Sequence, residues 1–274
     1  MLKWIKEVDR ILRGEATRPS ALQDASIPIP AFGVTAVVVV LGLIYGFFMG
    51  WFALFNRDPP EYQQLLASTV KVPALFLLTL IVTFPSLYVF NALVGSRLTL
   101  RALLRLLTAA MAVMLAVLAS FGPITAFFSV STESYSFMIL LNVALFAVAG
   151  LLGLGFLLQT LHRLSVVGRA LPRPPLPGDP PATENPGPSD TAASGHSATA
   201  DPEGALDPLE GHVLGSHEKT VFRFWIVIFA LVGGQMSWVL RPFVGDPKQP
   251  FEWFRERQSN FFEALWNHIS SLFS

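Results

Sequence analysis

The sequence predicts an all-α membrane protein: a bundle of five transmembrane helices flanked by N- and C-terminal interfacial amphipathic helices. Five uncharged apolar stretches carry that expectation, over residues 31–55, 72–94, 106–128, 135–160 and 224–240. A hydrocarbon core ~30 Å thick takes roughly 20 helical residues, and a helix satisfies its own backbone polar groups without water. Composition agrees, with 52% hydrophobic and 14% charged residues among 274; soluble domains carry about a quarter charged.

Taken in order, residues 1–30 form a cytoplasmic amphipathic segment. Leu2, Ile5, Val8, Ile11 and Leu12 share one helical face with Trp4 beside them, while Lys3, Lys6 and Arg10 decorate another. Such a helix lies at a membrane interface or caps the bundle. Pro28 and Pro30 stop the chain before the first span. The N-terminus lacks the compact apolar core and small-residue cleavage site of a secretory signal, so the first span is expected to act as an uncleaved insertion signal.

Residues 31–160 make a four-helix transmembrane unit, and 161–220 a cytoplasmic segment. Between Pro172 and Lys219 the composition turns to Pro, Gly, Ser, Ala and acidic residues. Too little apolar area is available there to offset chain entropy, which predicts a disordered linker that includes His212 and His217 or borders them. Residues 221–240 are the fifth transmembrane helix, which the linker lets return to its own bundle or to a neighbouring copy. Residues 241–274 are an outer aromatic amphipathic tail. Three prolines in RPFVGDPKQPF predict a turn, and Phe261, Phe262, Leu265, Trp266, Ile269, Leu272 and Phe273 then gather on one face of a helix.

Basic residues orient the bundle. With the N-terminus inside, Lys3, Lys6, Arg10, Arg13, Arg18, Arg97, Arg101, Arg105, Arg163, Arg169, Arg173, Lys219 and Arg223 all fall on the cytoplasmic side, 13 of the 19 Lys and Arg residues. That excess predicts N-in and C-out in a bacterial inner membrane.

Small residues mark the packing faces. Gly42, Gly46 and Gly50 recur every four residues, a spacing that lets helix backbones approach closely. Intramolecular packing and a self-association face both fit it. Pro85 and Pro123 interrupt the second and third spans and predict kinks, which shape a helix or line a gate. Asn91, Asn142, Gln159 and Gln235 are polar but not ionisable, so a proton relay is not expected. Asn91 and Gln235 are candidate polar contacts, and Arg241 is expected to snorkel to headgroups or to pair with Glu133 in the loop before the fourth span.

Several function classes are excluded. Zero net charge offers no field for nucleic acid, and the absence of cysteine removes thiolate chemistry and disulfides. No zinc-protease helix, nucleophile elbow, phosphate loop or dinucleotide fingerprint is present. No catalytic residue, metal set or cofactor is therefore expected. The expected partners are the lipid bilayer, a second copy of the chain and a cytoplasmic protein. The function expected is a non-enzymatic structural, adaptor or membrane-organising role; the alternative is a channel or transporter component using the kinked helices.

The segments ILRGEAT, TFPSLYVFNALVGS and GGQMSWVLRPFVG, with IPIPAFGV and LIYGFFMGWFALF, resemble an uncharacterised family of bacterial multi-pass membrane proteins. The likeness covers all but the Pro-rich stretch and implies no activity, substrate or catalytic residue. Five spans with a cytoplasmic N-terminus are also similar in topology to the Yip-type membrane proteins, which act in eukaryotes as trafficking adaptors for small GTPases.

Overall fold

Apolar runs separated by prolines, glycines and polar turns fold into eight helices among the described residues. The computed structural model describes residues 2–15, 31–93, 100–170, 210–256 and 259–273. The helices are α1 Leu2–Leu12, α2 Ala31–Met49, α3 Trp51–Phe55, α4 Tyr62–Leu93, α5 Leu100–Ser131, α6 Tyr135–Ala170, α7 Glu210–Val239 and α8 Phe261–Phe273. Pro28, Pro30, Arg97 and the Pro-rich residues 171–209 lie outside the described residues.

Four stretches are long and apolar enough to cross a membrane: Phe32–Phe55, Tyr62–Val89, Arg101–Ser131 and Tyr135–Thr160. Within α7 the run Arg223–Val239 is apolar but shorter. Several boundaries differ from expectation. Helix α4 starts ten residues before position 72, because Tyr62 to Lys71 are acceptable helix formers and Pro73 is accommodated inside the helix. Helix α6 continues past 160 to Ala170, since nothing breaks it before Pro172. Helix α7 begins at Glu210, which places His212 and His217 on helical backbone and not in a loop.

Packing follows the small residues. Helix α2 lies against α5 and α4, α6 against α5, and α7 against α4 of its own chain. Ala109, Ala110 and Ala112 of α5 are buried, as is Ala149 of α6. At Gly153 a Cβ would stand 3.0 Å from the Ala110 carbonyl, so the α5–α6 approach requires glycine there. Two buried hydrogen bonds cross the bundle. Tyr45 joins α2 to α6 through Asn142, and the Trp225 indole of α7 donates to the Thr83 carbonyl of α4 at 3.1 Å.

The chain caps both ends of this bundle. Helix α1 sits where α2 and α5 begin, with Val8 and Ile11 buried and Trp4 meeting Phe32 edge to face at 6.3 Å. Arg10 pairs with Glu7 and Arg13 with Asp9 along its solvated side, at 3.6 and 3.0 Å. At the opposite end, non-helical residues 241–256 and α8 close over α4, α6 and α7.

Candidate functional site

The glycine row of α2 is consumed inside the chain. A Cβ at Gly42 would stand 2.9 Å from Pro73 Cβ, one at Gly46 2.5 Å from the Ser68 carbonyl, and one at Gly50 2.8 Å from Leu65 Cα. All three neighbours belong to α4. Gly42, Gly46 and Gly50 therefore line the α2–α4 seam, the intramolecular one of the two readings that their spacing allows.

The expected gating prolines are not brought together around a path. Pro85 and Pro123 are both exposed on the outside of continuous helices. The polar side of α4 is satisfied locally, with Thr79 donating to the Leu75 carbonyl and Thr83 to that of Thr79 at 2.7 and 2.8 Å. Asn91 belongs to α4, but its side chain lies outside the described residues. Gln235 is half-buried on α7. Next to it, Gly234 admits α8: a Cβ there would meet the Phe261 ring at 3.1 Å.

Arg241 does not pair with Glu133, which is exposed in the turn between α5 and α6. Its guanidinium instead lies over the Trp238 ring, Cζ 3.6 Å from the centroid, and donates to the Glu256 carbonyl. A planar cation gains from an aromatic face and a backbone acceptor together, and here both lie closer than the loop carboxylate.

Sequence reasoning missed the polar row that holds the C-terminal loop. Pro242, Pro247 and Pro250 keep residues 241–256 out of a helix, so its carbonyls need donors from elsewhere. Helix α4 supplies them. Gln64 Nε2 donates to the Pro242 and Phe243 carbonyls at 3.2 and 3.0 Å, and Ser68 Oγ donates to Phe243. Buried Lys71 donates to the carbonyl of Pro242 at 3.1 Å and to that of Trp253. The rings of Trp253 and Phe254 flank its ammonium at 5.9 and 5.2 Å. Gly245 turns the loop at φ +79°, and a Cβ there would meet Gln64 Cγ at 2.7 Å. The spacing of Gln64, Ser68 and Lys71, one helical face at i, i+4 and i+7, was the available signal.

Between α6 and α7 lies a cavity of about 770 Å³ with α4 and α5 behind it. Met111, Met114, Phe146, Leu154 and Phe229 line most of its length. At the capped end the lining becomes charged, with Arg241, Arg255, Asp246 and His268 around Tyr135. Arg255 faces Asp246 at 3.9 Å. His268 shares a 3.1 Å hydrogen bond between Nδ1 and Ser136 Oγ and meets Tyr135 edge to face at 5.8 Å. Burial lowers the His268 pKa below the ordinary imidazole value, partly opposed by Asp246. Burial, then repulsion from Arg255, lowers that of Arg241. The Nε of Arg241 is buried without a hydrogen-bond partner among the described residues.

Among the described residues no three His, Asp or Glu side chains gather to hold a metal ion. Comparisons with protein-family models, characterised proteins and solved structures return no match.

Proposed function

We propose that the chain is a five-span protein of a bacterial inner membrane, N-in and C-out, with a non-enzymatic adaptor or membrane-organising role. Helix α7 supports the fifth crossing. Its apolar run is short, but Trp225 anchors it to α4 and the C-terminal loop is tied to the end of the bundle opposite α1. The basic residues of α1, of the start of α5 and of α7 ahead of its apolar run support a cytoplasmic α1 end.

One observation carries the functional reading. Buried polar side chains are spent within their own helix, as Thr79 and Thr83 are, or on joining helices and cap: Tyr45 to Asn142, Trp225 to Thr83, and Gln64, Ser68 and Lys71 to the loop. What remains open is apolar surface, a cleft and two aromatic end helices that suit the interface: Ile5 and Leu12 of α1 and Phe262 and Trp266 of α8 are exposed. The adaptor role implied by the Yip-type likeness, with a second copy and a cytoplasmic protein among the proposed partners, fits such surfaces. Pro85 and Pro123 face outward, away from any shared path, which weighs against the channel alternative.

Reconstitution tests the reading. Purified protein in liposomes is expected to leave them sealed to ions and small solutes across a range of voltages. Solute flux that scales with protein and disappears in Pro85→Ala would overturn it in favour of a channel.

A further inference from the structure

The α6–α7 cleft has the wrong lining for a hydrophilic solute. Apart from its capped end, its walls are mostly Met, Leu, Phe, Ile, Val, Ala and Gly, and the polar groups among them, Thr79 and Asn142, are hydrogen-bonded inside the bundle, which leaves little to replace a hydration shell. Its lining follows α7 from Trp225 to Trp238, about 20 Å at ~1.5 Å rise per residue. That exceeds one leaflet of a hydrocarbon core ~30 Å thick. Helix α6 is the least enclosed of the four long spans, and Leu151, a cavity-lining residue, is exposed on it. The cleft is thus reached sideways, from the depth at which acyl chains lie.

The capped end decides the headgroup. Two guanidiniums, Arg241 and Arg255, line this end with the single carboxylate of Asp246, which leaves one positive charge in excess. Arg255 already engages Asp246, whereas Arg241 keeps a buried Nε without an acceptor. A guanidinium donor at this half-buried end matches phosphate oxygens better than an ammonium headgroup, which it repels.

We propose that the cleft binds one anionic phospholipid from the leaflet at the capped end, with an acyl chain between α6 and α7 and its phosphodiester at Arg241 and Arg255. The proposal rests on the membrane reading above and names the chemistry of the cleft. Ala264 and Leu265 of α8 roof the site at the level where glycerol would lie. Gly150 leaves the middle of the cleft open: a Cβ there would meet only the Met114 methyl, at 3.9 Å.

Native mass spectrometry of the detergent-purified full chain, titrated with phosphatidylglycerol or phosphatidylcholine, tests this. The wild type is expected to retain one phosphatidylglycerol in preference to phosphatidylcholine. Arg241→Gln should weaken that retention about tenfold and erase the preference. Gly150→Phe, which fills the cleft without touching the cap, should displace either lipid, and Lys248→Gln, an exposed basic residue at the same end but outside the cavity, should change nothing. Inorganic phosphate at millimolar concentration should leave the lipid bound. Equal retention of both lipids, a preference that survives Arg241→Gln, retention that survives Gly150→Phe, or release of lipid by phosphate would each overturn the proposal. Extraction of the same protein from vesicles by alkaline carbonate would instead defeat the membrane reading beneath it.

Discussion

The hydroxyl of Tyr45 donates to Asn142 Oδ1 at 2.8 Å, and this bond joins the first long span to the fourth across the buried centre of the bundle. Asn142 Nδ2 in turn donates to the Met138 carbonyl at 2.7 Å, which fixes the amide's orientation. Interhelical hydrogen bonds in membranes contribute about 0.6 kcal/mol on average and up to ~1.7. Tyr45→Phe is therefore expected to cost about 1 kcal/mol in a denaturant titration of the detergent-solubilised protein. Asn142→Ala should cost more by also leaving a cavity, and the double variant less than the sum. Strict additivity would show that the two side chains are not coupled.

The two kinds of glycine in these helices should respond oppositely to a methyl group. At Gly46 the new Cβ would press on the α4 backbone, and Gly46→Ala is expected to destabilise by about 1–3 kcal/mol. At Gly155 nothing lies within 4 Å, so Gly155→Ala should be neutral or gain up to ~1 kcal/mol of helix propensity. Thermal unfolding of both variants checks this. If folded Gly46→Ala kept its melting temperature but changed particle size, the glycine row would be a contact between copies after all.

Lys71 holds the C-terminal loop through two carbonyls, and hydrogen bonds from charged groups contribute about 1.5–3 kcal/mol each. Lys71→Met keeps the length of the stem and removes both donors. Amide hydrogen exchange in residues 243–253 should then rise well above wild type while exchange in α5 stays unchanged. Unaltered protection of the loop would contradict its attachment to α4.

His268 gives α8 a pH dependence. Burial lowers its folded pKa below the unfolded value near 6.5, so the unfolded chain binds the proton more readily. Stability from this group is complete above about pH 6.5 and is lost as pH falls through that value and then through the lower folded pKa. Melting temperatures measured between pH 8 and pH 5 should fall for the wild type (~6.5 being the pivot). His268→Gln, which keeps a hydrogen-bonding group toward Ser136, should flatten that fall; an identical slope would exclude His268 as its source.

The long helices were legible because lipid-facing and core-facing residues are both apolar, so each span reads as one uninterrupted run. Helix α6 shows this best: its apolar stretch begins at Tyr135 and ends at Thr160 as the sequence alone indicates. The start of α4 was hidden for the opposite reason. Gln64, Ser68 and Lys71 precede the apolar run that starts at residue 72, and they donate to carbonyls of a loop more than 170 residues away. Spacing told that Gly42, Gly46 and Gly50 meet a backbone, but a spacing carries no address for the partner. For Arg241 charge alone offered lipid headgroups or Glu133, whereas a Trp face and a carbonyl, invisible to charge matching, hold it. The cleft itself arises from α7 leaning on α4 and away from α6, which no single-helix pattern encodes.

The number and direction of the crossings can be measured directly because the chain has no cysteine of its own. Lys3 of α1 and Lys248 of the C-terminal loop are both exposed at opposite ends of the bundle. With single variants Lys3→Cys and Lys248→Cys, a membrane-impermeant maleimide should label position 248 on intact spheroplasts and position 3 only after permeabilisation. Labelling of both from the same side would mean that α7 does not cross, and the five-span account would fail.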